Sequence, residues 1–79
     1  MAYYTFSFEN TNSDQSFTYK DERDDGADEY DVGPINHNDT SPQCRCWVGS
    51  DGHGEITLTG SVSGKLHQDI LYDEYSFRY

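Results

Sequence analysis

Tyr4-Thr5-Phe6-Ser7-Phe8 is the stretch that decides the fold class. Aromatic residues alternate there with small hydroxyl residues, the period of two expected of a half-buried strand. Asn10-Thr11-Asn12-Ser13-Asp14 has the composition of a turn. Beyond it, Phe17 and Tyr19 resume the alternation with Ser16 and Thr18. The two runs predict a hairpin with Tyr4, Phe6, Phe8, Phe17 and Tyr19 facing one core.

The same period recurs downstream. Cys44, Cys46 and Val48 alternate with Arg45 and Trp47, predicting a third strand. Gly49-Ser50-Asp51-Gly52-His53-Gly54 is a loop, and a fourth strand follows with Ile56, Leu58 and Val62 inward. These two strands are expected to pair across the glycine-rich loop, with Gly60 leaving a gap on the inward face. Val32-Gly33-Pro34-Ile35 reads as a turn with two apolar anchors. After a tight turn at Ser63-Gly64, Leu66 to Tyr72 favours a strand, and Tyr75, Phe77 and Tyr79 share one face of a last strand. The expected fold is mainly β, one domain over residues 1–79, with a small antiparallel sheet of four to five strands and an acidic loop insertion. The alternative is α+β with one short helix near 66–73, where Leu66 and Ile70 stand at helical spacing.

That insertion is Lys20-Asp21-Glu22-Arg23-Asp24-Asp25-Gly26-Ala27-Asp28-Glu29-Tyr30-Asp31, in which seven of twelve residues are carboxylates. Like charges at Asp21/Asp25, Asp24/Asp28 and Asp25/Glu29 would oppose a helix, and Gly26 would weaken it further. A solvated loop, or a charged edge strand at one end, fits better. The whole chain has fifteen acids against five bases, a net charge of −10. That excludes binding nucleic acid by neutralising phosphates, and it disfavours an anionic membrane surface. Leu, Ile, Val and Phe number thirteen, so the seven Tyr, four Phe and single Trp must supply much of the core.

Metal and catalytic motifs fare poorly. With Gly26 at the turn position of an EF-hand loop, Arg23 falls where an oxygen ligand belongs and Val32 falls at the closing position. His37, Cys44, Cys46 and His53 are a chemically suitable zinc set, but without the close ligand spacing of zinc modules, so no metal or other cofactor is assigned. The two cysteines, one residue apart on a strand, are badly placed to bridge each other, which suits reduced thiols. No nucleophile elbow, metalloprotease motif or phosphate-cradling loop is present, and the chain is read as a non-enzyme. No apolar window reaches the length of a membrane span, and no secretory signal is evident, so a cytoplasmic location is expected.

The remaining expectation is recognition of a basic surface. Carboxylates on an ordered scaffold can occupy a groove that otherwise meets DNA phosphates. The partner-binding candidates are Asp21, Glu22, Asp24, Asp25, Asp28, Glu29, Tyr30 and Asp31, extended by Asp14, Asp39, Asp51, Asp69, Asp73 and Glu74. In size and composition the chain is similar in kind to small acidic inhibitors carried by phages and mobile elements, such as anti-restriction and anti-CRISPR proteins. No motif of theirs is matched residue by residue. The implied partner is the basic surface of a protein in a nucleic-acid-binding complex, without direct contact to nucleic acid or membrane. Competing readings are a zinc module, an aromatic-face interaction domain whose charge serves solubility, and a homodimer paired through the last strand.

Overall fold

Alternation on this scale builds strands, and a computed structural model of the protein, describing residues 2–24 and 28–79, contains seven: β1 (Tyr3–Glu9), β2 (Gln15–Asp21), β3 (Tyr30–Ile35), β4 (Cys44–Trp47), β5 (Gly54–Gly60), β6 (Gly64–Ile70) and β7 (Tyr75–Arg78). No helix occurs among the described residues, so the segment near 66–73 is strand and turn. Asp25, with Gly26 and Ala27, lies outside the described residues. The strands form two sheets, a three-stranded one ordered β4-β1-β7 and a four-stranded one ordered β3-β2-β5-β6. The larger sheet is antiparallel throughout. In the smaller one, β1 is antiparallel to β4 and parallel to β7.

The two expected hairpins at the start and middle of the chain do not form. β1 and β2 lie in different sheets, and so do β4 and β5. The physical reason is the aromatic stripe. With few aliphatic residues to cover them, Phe6 and Phe8 of β1 are covered by the matching stripe of β2. The Phe6 and Tyr19 rings meet edge-on at 5.1 Å, and the Phe8 and Phe17 rings at 4.9 Å. Cys46, Ile56, Leu58, Ile70 and Ile35 complete the buried core, with Tyr75, Phe77 and Tyr79 packed at its margin. Val62, expected inward, is 65% exposed at the tip of the β5–β6 hairpin.

Residues 32–35 are strand rather than turn. β3 pairs with β2 through a bulge, with Thr18 opposite Asp31 and Phe17 opposite Gly33. Gly33 has φ +92°, and its N–H donates to Asp31 Oδ1 at 2.9 Å. Ser61 N–H donates to Ser16 O, and Glu22 N–H to Glu55 O. By strand alternation, Ser16, Thr18 and Lys20 therefore bond toward β5, and Gln15, Phe17 and Tyr19 toward β3. Pro34, opposite Ser16, thus turns its missing N–H to the free edge, where a strand tolerates proline.

At one end of β2 the 10–14 segment forms a corner between the sheets. Asn10 is fully buried; its amide donates to Ser13 O and Ile35 O and accepts from Asn12 N–H and from Gln15 Nε2. Gln15 also donates to Ser63 Oγ at 2.5 Å and accepts from the N–H groups of Val62 and Ser63. Its amide fills the gap opposite Gly60, where a Cβ would collide with Gln15 Oε1.

Candidate functional site

The opposite end of β2 carries the charge. Asp21 closes the strand with its side chain inward and only 3% exposed. Its Oδ2 accepts from Trp47 N–H at 2.8 Å, and its Oδ1 accepts from Arg23 N–H at 3.1 Å. Asp21 therefore ties β2 to β4 and starts the turn that follows. Both of its carboxylate oxygens are thus engaged inside the fold.

The turn delivers Arg23 into a group of acids drawn from other elements. Arg23 donates through a terminal nitrogen to Asp51 Oδ2 at 2.6 Å. Its Nε lies 2.7 Å from Glu55 Oε2, an ion-pair contact without hydrogen-bond alignment. The same guanidinium reaches His53 Nε2 at 2.9 Å. A guanidinium only donates, so Nε2 accepts and the proton of a neutral His53 sits on Nδ1, 3.4 Å from Asp51 Oδ1. On β6, His67 Nε2 lies 3.2 Å from Glu55 Oε1 and 4.0 Å from Asp69 Oδ1. Glu55 and Asp69 face each other across the β5–β6 ladder, and both point to the outer face of the four-stranded sheet. The Arg23 hydrogen bond holds the Asp51 carboxyl below its ordinary range, and Asp51 in return raises Arg23.

His53, Glu55 and Asp69 present ligand atoms within 4.8 Å of one another. The Arg23 guanidinium already sits against two of these three side chains, so the group is satisfied as an ion-pair network. The four residues weighed as a zinc set are not brought together. His37 is tied to the 10–14 corner, donating its N–H to Asp14 Oδ1 and placing Nδ1 2.6 Å from Asn12 O. Cys46 is fully buried, and burial pushes its thiol up to about 12 and that of Cys44 to about 11, which keeps both protonated. Neither cysteine is in a disulfide.

Of the other candidates, Glu22, Asp28, Glu29, Tyr30 and Asp31 are exposed and Asp24 is half-buried. Glu29 accepts from Thr18 Oγ1 at 3.4 Å, on the outer face of β2, and Asp31 stands opposite Thr18. Tyr30 stacks obliquely on Tyr19 at 5.1 Å, with nearly half its surface free. Glu55 and His67 went unnoticed in the sequence. The signal was there: a β5–β6 hairpin with inward Ile56 and Leu58 must turn Glu55, His67 and Asp69 outward together. The chain matches no family model, no curated protein and no solved structure. Among the described residues no helix is long and apolar enough to cross a membrane.

Proposed function

We propose that the protein is a non-enzymatic binding protein that docks an anionic surface on the basic, nucleic-acid-binding surface of a partner protein. One observation carries this reading. Glu29 and Asp31, exposed carboxylates of the acidic run, share the four-stranded sheet's outer side with Asp51, Glu55 and Asp69 from later elements, and the exposed Glu22 and Asp28 adjoin them in sequence. An ion-paired Arg23 fixes part of that array, so the charge is held on a scaffold. A fixed array loses less entropy on docking than a solvated tail does. Its mode of action is steric and electrostatic competition with nucleic acid, as in the small acidic inhibitors of phages and mobile elements, and its free thiols suit the cytoplasm.

The experiment is capture from a native-host extract on the immobilised protein, at low and high salt, with duplex DNA as competitor. A basic protein should bind at low salt, leave at high salt and be displaced by DNA. Reversal of Glu22, Asp28, Glu29 and Asp31 to Lys should reduce capture at least tenfold at an unchanged circular-dichroism spectrum. Capture that ignores both salt and reversal would assign binding to the aromatic surface instead.

A further inference from the structure

The four sheet edges are not alike. β4 and β7 are four residues long, and β3 carries a bulge and Pro34. Short strands, bulges and prolines all discourage pairing with another chain. β6 is a seven-residue strand, Gly64-Lys65-Leu66-His67-Gln68-Asp69-Ile70, unbroken and paired on one side only. Since Glu55, Thr57 and Thr59 bond toward β2, β6 meets β5 through Gly64, Leu66, Gln68 and Ile70. The backbone groups of Lys65, His67 and Asp69 are left pointing outward. Among the described residues no other backbone group reaches them; the Gln68 side chain alone covers Asp69 O, at 3.0 Å.

We infer that β6 pairs antiparallel with β6 of a second copy, about a two-fold axis at His67, joining two four-stranded sheets into one. Charge complementarity selects this occupant. With His67 opposite its own copy, Lys65 falls opposite the second copy's Asp69, and Asp69 opposite its Lys65. The outward backbone groups of these three positions are the ones an antiparallel pair exchanges. Val62, 65% exposed, and Tyr72, 58% exposed, flank the two ends of β6. His67 keeps its own Glu55 beside it in each copy.

Sedimentation equilibrium of the full chain tests this, in moderate salt that screens the repulsion between two chains of net charge −10. A concentration-dependent monomer–dimer equilibrium is expected. Lys65→Asp alone, or Asp69→Lys alone, sets like charges opposite each other twice and should weaken the dimer about tenfold. The two single variants mixed should pair with each other about as tightly as the parent chain, because each reversed position then meets its opposite. His67→Pro removes an outward N–H that the β5 ladder does not use, and should leave a folded monomer. If His67→Pro fails to fold, the charge-reversal pair still decides. A monomer at every concentration, a dimer that ignores the single reversals, or a mixture that does not recover would overturn the inference.

Discussion

β2 ends in two polar clusters of opposite character. At Gln15 two neutral amides are buried and every donor and acceptor of Gln15 is used. At Asp21 one carboxylate is buried, and beyond it Arg23 meets Asp51, His53 and Glu55 at the surface. The neutral cluster has no titrating group, and it locks the 10–14 corner and the β5–β6 turn to the core. The charged one is half open to water, so salt and pH act on it. One strand thus ends in a cluster that answers to neither pH nor salt and, at its other end, in one that answers to both.

The largest expected effect breaks the neutral end. Gln15→Ala strands the N–H groups of Val62 and Ser63 and should cost about 3 kcal/mol in urea unfolding, with unchanged m-value. Asp21→Ala strands the N–H groups of Trp47 and Arg23 and should cost about 2 kcal/mol, while Glu29→Ala, eight residues on, stays within about 0.5. Gly60→Ala should cost about 1–2 kcal/mol, and part of that should return when Gln15→Ala is added, because the Cβ and the amide compete for one space.

The smallest effect sharpens the comparison through pH. Asp51 has a lowered folded-state pKa, so its contribution is present above the unfolded carboxyl value and is lost as pH falls through the folded one. Asp51→Asn should flatten the acid side of the stability profile, whereas Gln15→Ala should lower it evenly at every acid pH. On the alkaline side the sign reverses. Burial raises Cys46 and Tyr19 to about 12, so stability is full below their unfolded values and is lost as pH climbs toward 12. Thermal unfolding across pH checks both limbs.

Most strands were legible because aromatic alternation is a strong local signal, as at Phe6, Phe8, Phe17 and Tyr19. Their partners were not, because period two says which face is apolar and nothing about which strand lies alongside. Asn10 to Asp14 has the composition of a hairpin turn, and only the burial of Asn10 makes it a corner. Residues 32–35 were misread for a related reason: Gly33 and Pro34 mark turns, yet a bulged edge strand uses both. In the acidic run, charge density located the exposed Asp28, Glu29 and Asp31 but could not separate them from Asp21, whose inward side chain follows the alternation of Phe17 and Tyr19. Glu55 and His67 are too ordinary in sequence to stand out until the β5–β6 pairing brings His67 to Glu55, the acid that meets Arg23.

The parallel pairing of β1 with β7 has a consequence for synthesis. Phe6 lies opposite Tyr75 and Phe8 opposite Phe77, so β1 waits for a strand made much later in synthesis. Until β7 leaves the ribosome the small sheet lacks an edge, and the β1 aromatics lack Phe77, which stacks on both Phe6 and Phe8. Contacts of such long sequence separation place the chain among domains that fold in milliseconds to seconds. Nascent chains halted before residue 75 should be protease-sensitive and held by chaperones, and protection should arrive in a single late step.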